Sequence, residues 1–185
     1  MRRTVLLLAT MAAVLILASG VAWALNKTCT TGTTSEKPCK GTEAADNILG
    51  TSRSDYIEAL GGNDLVSARS GNDYVSGGAG SDTINGSYGD DTLYGDAGND
   101  QISGGSDNDH IYGGSGTDTV SGGSGDDIID VSGDPGSASA PVVDNVDCGS
   151  GNDTVYVDAI DENTLIDNLS DDDCETIILV VQQPS

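Results

Sequence analysis

Apolar and polar positions recur with a fixed nine-residue period through the middle of the chain. Ten consecutive units run without a gap from Gly41 to Asp130, and the eighth position of every unit is aliphatic. The aliphatic residues are Ile48, Ile57, Val66, Val75, Ile84, Leu93, Ile102, Ile111, Val120 and Ile129. Self-similarity at a short fixed period is the sequence signature of a repeat architecture, in which successive units stack on one another. The pattern therefore predicts one repeat array over residues 41–130.

Glycine and aspartate columns share this period. The first position is Gly in eight units and the fourth position is Gly in seven, as in the unit from Gly77 to Asn85. The sixth position is Asp in all ten units: Asp46, Asp55, Asp64, Asp73, Asp82, Asp91, Asp100, Asp109, Asp118 and Asp127. A disordered acidic linker is the alternative reading of a Gly- and Asp-rich tract. A linker has no reason to keep three columns in register for ten cycles, so the pattern favours an ordered array.

The array resembles the GGxGxDxUx nonapeptide of the RTX (hemolysin-type) calcium-binding repeat family. The resemblance implies an all-β fold, a right-handed parallel β-roll solenoid. In that fold the first six residues of a unit form a turn, the last three form a short strand, and two units complete one coil. Calcium then lies between turns stacked on the same side. Carried onto this chain, the resemblance implies two ion rows. One row follows Asp46, Asp64, Asp82, Asp100 and Asp118, and the other follows Asp55, Asp73, Asp91, Asp109 and Asp127.

The residue types in the repeat support calcium as the ligand. Glycine permits positive φ and lets backbone carbonyls turn toward an ion, and Asp supplies a short, hard oxygen ligand. Stacked turns lie about 4.8 Å apart, so two bare carboxylates repel by about 3.5 kcal/mol at an effective dielectric near 20. A divalent cation between the two carboxylates makes the net interaction attractive. We therefore expect the ten aspartates to bind roughly four to eight calcium ions, most strongly between Gly77 and Asp127, where the glycine columns are most complete.

Residues 1–24 have the features of a signal peptide. Arg2 and Arg3 form a basic head, Val5–Leu17 is apolar, and the segment ends in Ala-Trp-Ala at residues 22–24. This order predicts cleavage near Leu25 and a secreted, extracellular protein that is not attached to a membrane. A single membrane anchor is the alternative, since about 20 apolar residues can span a bilayer. A twin-arginine export signal is a second alternative.

The segments flanking the array are expected to cap it. We predict an N-terminal cap at residues 25–40 and a C-terminal cap at 131–185, with one further repeat at 148–156 and an apolar strand at Thr176–Val181. Each cap contains two of the four cysteines, and proximity favours Cys29–Cys39 and Cys148–Cys174 among the three possible connectivities. A cysteine metal site is the alternative, but the spacings are not those of a CxxC pair.

Four tyrosines occupy outward positions of the array at intervals of one coil. Tyr56 and Tyr74 are seventh-position residues 18 apart, and Tyr94 and Tyr112 are ninth-position residues 18 apart. We expect each pair to stack across neighbouring strands. A sugar-binding platform is the alternative.

Composition narrows the function classes. The 185 residues contain 30 Asp and Glu against 7 Lys and Arg, giving a formal charge of −23, which disfavours nucleic acid or an anionic membrane as a partner. With 4% aromatic residues, the apolar core is thin, so we expect the array to fold when calcium binds. One His and no catalytic constellation indicate that the chain is not an enzyme. The sequence thus predicts a secreted calcium-binding protein. The alternative is a calcium-stiffened adhesion or scaffold module with an unknown extracellular or cell-surface partner.

Overall fold

The chain folds as an all-β solenoid. The computed structural model describes residues 26–29, 37–132, 143–161, 164–165, 168–169 and 174–181, and the predicted signal peptide lies outside them. Seventeen strands are present in these ranges: β1 (Asn26–Thr28), β2 (Cys39–Lys40), β3 (Asn47–Leu49), β4 (Tyr56–Glu58), β5 (Leu65–Ser70), β6 (Tyr74–Ala79), β7 (Thr83–Tyr88), β8 (Thr92–Ala97), β9 (Gln101–Ser106), β10 (His110–Ser115), β11 (Thr119–Ser124), β12 (Ile128–Asp130), β13 (Asn145–Ser150), β14 (Thr154–Asp161), β15 (Thr164–Leu165), β16 (Asn168–Leu169) and β17 (Thr176–Val181).

Alternate strands along the chain enter two different sheets. One sheet has the order β1-β3-β5-β7-β9-β11-β13-β16, and the other has the order β15-β14-β12-β10-β8-β6-β4-β2, with β17 also paired to β14. Within the array, neighbours in a sheet are parallel, as in the pairing of Ile84 with Ile102. Partners on adjacent coils are separated by 18 positions along the chain, as Asp82 and Asp100 are. Two nine-residue units therefore make one coil, and the solenoid has about seven turns. The predicted all-β parallel solenoid is confirmed.

The eighth-position column forms the core. Every member from Ile48 to Ile129 is at most 1% exposed, and Val146 and Val155 extend the column beyond the array. The residues beside it point outward, since successive side chains of a strand face opposite sides of a sheet. Leu65, at a seventh position, is accordingly 49% exposed. Each unit therefore contributes one aliphatic side chain to a narrow core between two sheets.

The central strands are longer than the three residues that the resemblance implies. Each of β5 to β11 has six residues and continues from the seventh position of one unit into the third position of the next. The ladder pairs Asn85 with Ser103 and Ser87 with Gly105, passing over the first-position Gly86. After this bend the chain turns through positive φ at the second and fourth positions, as at Gly78 (99°) and Gly80 (134°). The turn is therefore shorter than expected, and the backbone ladder is longer.

A longer connection between β12 and β13 is accommodated without loss of register. Thr119 of β11 pairs with Asn145 of β13, in the same frame in which Gln101 pairs with Thr119. The interval between coils is 26 positions here and 18 for the preceding coil, a difference of eight. Asp144 and Val146 thereby enter the sixth- and eighth-position columns, and both are buried. The nine-residue pattern identifies the unit at 148–156 but misses the preceding one, because the added residues displace Asp144 from the spacing of the array.

Disulfides lie near both ends of the solenoid. Cys29 is bonded to Cys39 and Cys148 to Cys174, with Cα–Cα distances of 5.5 and 5.3 Å. The predicted pairing is thus confirmed. The second bond lies beside β17, which runs parallel to β14 from Thr176 to Val181. Among the described residues, there is no helix of the length and hydropathy needed to cross a membrane.

The four outward tyrosines form one ladder. Tyr56 and Tyr74 stack with ring centroids 4.3 Å apart and planes within 5°, and Tyr94 and Tyr112 stack at 4.5 Å and 3°. A tilted contact of 5.3 Å between Tyr74 and Tyr94 joins the two pairs. The predicted cross-strand stacking is confirmed. The ring faces in these pairs cover one another, which leaves mainly ring edges for solvent and argues against a sugar-stacking platform.

Candidate metal centre

The sixth-position aspartates form two buried ladders along the solenoid. All ten predicted ligands are at most 4% exposed. The backbone N–H of each donates to Oδ1 of the aspartate one coil later, as Asp82 does to Asp100 at 2.8 Å. The carbonyl oxygen of Asp82 accepts from the N–H of Gln101, also at 2.8 Å. These bonds fix each carboxylate against the next coil and bring the ten aspartates together in the two predicted rows.

Each ladder continues past the array by one aspartate. The N–H of Asp118 donates to Asp144 Oδ1 at 2.7 Å, and the N–H of Asp127 donates to Asp153 Oδ1 at 2.7 Å. The spacing of the array misses Asp144, whereas Asp153 lies in the further repeat at 148–156 and is not one of the ten predicted ligands. The nine-residue interval between these two aspartates is the sequence signal that could have identified both.

The second carboxylate oxygen, Oδ2, of most ladder aspartates has no hydrogen-bond partner within the described part of the chain. The Oδ2 atoms of seven aspartates are fully buried and accept no hydrogen bond: those of Asp64, Asp73, Asp82, Asp91, Asp100, Asp109 and Asp127. Buried polar atoms in native proteins almost always have a partner, because leaving one unsatisfied costs about 1–3 kcal/mol. Seven such atoms in repeated positions indicate that the two rows take a partner from outside the chain.

First-position glycines let oxygen atoms of two successive coils approach the backbone closely. A side-chain carbon on Gly77 would lie 2.5 Å from Asp82 Oδ2 and 2.8 Å from the carbonyl oxygen of Gly95, one coil later. The same pairing of a carboxylate with a carbonyl recurs at Gly86, Gly95, Gly104 and Gly122. We call this space the glycine cradle. It is lined by oxygen atoms from two successive coils.

The cradle is occupied by a side chain where the first position is not glycine. Ala59 and Ala68 replace the glycine in the third and fourth units, and Cys148 replaces it in the unit of Asp153; all three are buried. A Cβ atom in this position takes up the space that the cradle leaves open elsewhere. The open cradles are consequently concentrated between Gly77 and Asp127.

The first aspartate of each ladder has a protein partner for Oδ2. The N–H of Thr42 donates to Asp46 Oδ2 at 2.6 Å, and the N–H of Thr51 donates to Asp55 Oδ2 at 2.6 Å. Of the ten predicted ligands, the first in each row is therefore already engaged by its own turn. This difference separates Asp46 and Asp55 from the central aspartates.

Burial makes ionisation of the ladder unfavourable without a cation. Desolvation raises the pKa of Asp73, Asp100 and Asp109 to about 7. The hydrogen bond that each carboxylate accepts from a backbone N–H lowers the pKa, but by less than burial raises it. The same causes raise the pKa of Asp64 and Asp91 to about 6. Lys and Arg are absent after Arg69, so the chain supplies no cationic side chain to the central and C-terminal coils. The charged form of these carboxylates at neutral pH is therefore favoured only when a cation from solution lies beside them.

The donor set fits calcium. Among the described residues, no three His, Cys, Asp or Glu side chains converge on one point, so a bound ion would be held by carboxylates of successive coils together with backbone carbonyls. All of these are hard oxygen ligands, and a mixture of carboxylates and carbonyls is typical of calcium, whereas zinc prefers nitrogen and sulfur.

The C-terminal end of one ladder is closed by a glutamate. The N–H of Asp153 donates to Glu175 Oε2 at 2.7 Å, and the N–H of Thr176 donates to the carbonyl oxygen of Asp153 at 3.0 Å. These are the two bonds that a ladder aspartate would make at this place. Sequence reasoning missed Glu175, because both its type and its spacing differ from the repeat.

Comparison with known proteins agrees with this geometry. The family model for the RTX calcium-binding nonapeptide repeat matches four times, at residues 40–75, 67–102, 76–111 and 95–129. Searches of curated proteins and of solved structures returned no match. The four matches together span all ten aspartates of the array. Residues 40–129 therefore belong to the RTX calcium-binding nonapeptide repeat family.

Proposed function

We propose that this protein is an extracellular calcium-binding protein whose solenoid folds when several calcium ions bind between stacked turns. The observation that carries the proposal is the set of seven buried Oδ2 atoms without a hydrogen-bond partner, repeated along two rows. The ligands we propose are the ten array aspartates, with Asp144 and Asp153 extending the rows. No catalytic domain is identified in the described part of the chain beside this repeat module.

Calcium would supply the positive charge that the ladders lack. The chain prepares its side of the site in three ways: the amide of one coil holds Oδ1 in place, burial excludes water from the carboxylate, and the first-position glycine allows Oδ2 and a carbonyl of the next coil to approach closely. In the unfolded chain, ligands of one row such as Asp82 and Asp100 are 18 positions apart and are not organised. Because the arranged site exists only in the folded state, binding free energy contributes directly to folding.

Calorimetric titration of residues 25–185 with calcium tests the proposal, together with circular dichroism before and after addition of a chelator. We expect saturable binding of several ions and a gain of β signal on calcium addition. An unchanged spectrum with no heat of binding would reject calcium-coupled folding.

A matched pair of variants locates the binding. Asp100→Asn keeps an oxygen that can accept the amide of Asp82 but removes the ladder charge, and it should lower the stoichiometry. Asp147→Asn removes the same charge from an exposed position of β13 and should bind as the parent does. Equal losses in both variants would indicate a diffuse effect of net charge instead of defined sites.

Export to the extracellular space is part of the proposal. Two disulfides are typical of proteins in oxidising compartments, and calcium sites of extracellular modules fill at the calcium levels found outside cells. The N-terminal segment 1–24 is proposed to direct export. N-terminal sequencing of protein recovered from the medium should begin near Leu25. Recovery only with cell membranes, with residues 1–24 retained, would contradict this part.

A calcium-stiffened scaffold or adhesion module is the second candidate. The stacked tyrosines and the continuous ladders favour a rigid rod, which suits a spacer as well as a free calcium-binding protein. Fractionation separates the two, since a diffusible protein is found in the medium and a surface module remains with the cells.

A further inference from the structure

One core column of the solenoid ends in an exposed residue. Ile177 of β17 pairs with Val155 of β14 and thereby continues the eighth-position column. Val155 is 0% exposed, whereas Ile177 is 48% exposed. Within the described residues, no strand pairs with the other edge of β17. The column that every earlier coil covers is therefore open at this end.

The edge strand β17 is well suited to pair with another strand. Its sequence from Thr176 to Val181 contains no charge, no Gly and no Pro, and Ile178 and Leu179 are 36% and 38% exposed. Sheet edges that stay solvent-exposed are ordinarily short or protected by charge or proline, since an unpaired apolar strand recruits other chains. β17 has none of these protections in its own sequence.

At the other end of the same sheet, β2 pairs with β4 and has no second strand partner among the described residues. β2 is the last strand in the sheet order opposite β17. Here the core is closed by the disulfide between Cys39 and Cys29, both buried. The terminal strands β1 and β2 contain Lys27 and Lys40, and Lys40 forms an ion pair with Glu58. We call this end of the solenoid, whose strands each contain a lysine, the head, and the end formed by the uncharged β17 the tail.

Charge distinguishes the possible arrangements of two copies. All five cations after the predicted leader precede residue 70: Lys27, Lys37, Lys40, Arg53 and Arg69. Glu175 adjoins β17, and the segment from residue 170 onward contains acids but no Lys or Arg. Two tails facing each other would bring like charges together, whereas a tail against a head brings acids to cations.

We propose that the protein associates head to tail with a second copy, β17 of one molecule adding in parallel to β2 of the next. Ile177 then pairs with Cys39 of the neighbouring molecule, and the core column continues from one molecule into the next. The strands on both sides of the contact run parallel, as they do within one molecule. Such a contact uses two different surfaces, so it does not close on itself in a dimer and leads to linear chains.

Sedimentation velocity of residues 25–185 in calcium tests the proposal over a range of protein concentrations. We expect the weight-average mass to rise with concentration beyond that of a dimer. Ile178→Lys should weaken association by about tenfold, because the register that places Ile177 on Cys39 places position 178 beside Lys40 of the neighbour and brings two ammonium groups together. Tyr88→Lys is the control: it places the same charge on a 64% exposed side chain of β7, far from both ends, and should associate like the parent.

A mixing experiment separates head-to-tail from tail-to-tail association. Lys27→Glu reverses a charge of the head and leaves the tail intact, whereas Ile178→Lys leaves the head intact. Each variant alone should be monomeric, and an equimolar mixture should form a heterodimer that does not grow. Circular dichroism in calcium establishes that both variants are folded. A parent protein that is folded yet monomeric at every concentration would overturn the proposal, as would a Lys27→Glu variant that dimerises alone while Ile178→Lys does not. Because calcium binding is measured separately, failure here leaves the proposed function untouched.

Discussion

Glu175 accepts the backbone N–H of Asp153 through Oε2 at 2.7 Å and so occupies the place of the next ladder aspartate. Its neighbour Cys174 is bonded to Cys148 of β13. The disulfide and the carboxylate thus lie side by side at the point where the repeat pattern has ended. A residue outside the motif completes the row, held there by a covalent bond to the last regular coil.

Removing this acceptor should loosen the C-terminal coil. Glu175→Ala leaves the amide of Asp153 without its partner, and we expect a loss of about 1 kcal/mol in the free energy of unfolding. Urea unfolding in calcium measures the change. Glu175→Gln is the control, because its amide oxygen can still accept the bond. Equal destabilisation of both variants would show that the charge of Glu175 matters more than the hydrogen bond.

A side chain in a glycine cradle should remove a calcium site. Gly95→Ala places a Cβ against Asp100 Oδ2 and the carbonyl oxygen of Gly113, and we expect the stoichiometry in calorimetry to fall by about one ion. Gly61→Ala is a matched control, since its Cβ would meet chiefly the flexible side chain of Glu43 at 2.8 Å. Unchanged stoichiometry in Gly95→Ala would exclude the cradle as the binding position.

Arg69 is held in a conformation that favours glycine. Its φ is +83°, and its side chain is exposed. Left-handed backbone costs an ordinary residue about 1 kcal/mol, so Arg69→Gly should stabilise the folded protein by about that amount. Arg53→Gly removes the same charge at a position that is not among the positive-φ residues, and it should be neutral or destabilising. Thermal unfolding in calcium compares the two, and the opposite ranking would reject the strain argument.

Acid should partly replace calcium. The folded-state pKa of Asp73, Asp100 and Asp109 is about 7, above the usual value of 3.8. Below pH 3.8 these carboxyls are protonated in both the folded and the unfolded state, so they do not change the stability. As the pH rises from 3.8 to about 7, the unfolded state ionises first, and the folded state loses stability relative to it. The calcium-free protein should therefore show more β structure near pH 4 than at pH 8. Circular dichroism of chelator-treated protein tests this, and a pH-independent spectrum would contradict it.

The sequence could predict what depends on side chains at fixed spacing. The aspartate rows, the aliphatic column and the disulfides could be predicted because Asp, aliphatic residues and Cys each act here through their side chains, as ligands, core residues and disulfide partners. The extension of the strands through the third position was not predictable in this way, because that ladder is made by backbone groups of Gly and Ser residues such as Ser87 and Gly105. Asp144 was missed because the longer connection before it displaces it from the register.

The chain between β12 and β13 shows how the solenoid tolerates growth. Thr119 pairs with Asn145 on one side in the same register in which it pairs with Gln101 on the other. The sequence interval to the next coil is nevertheless 26 on the first side and 18 on the second. Additional sequence at this corner thus lengthens the chain without lengthening the rod or shifting either row of carboxylates. A foreign peptide grafted here should be displayed from a fixed position on the coil, with both rows of carboxylates left in register.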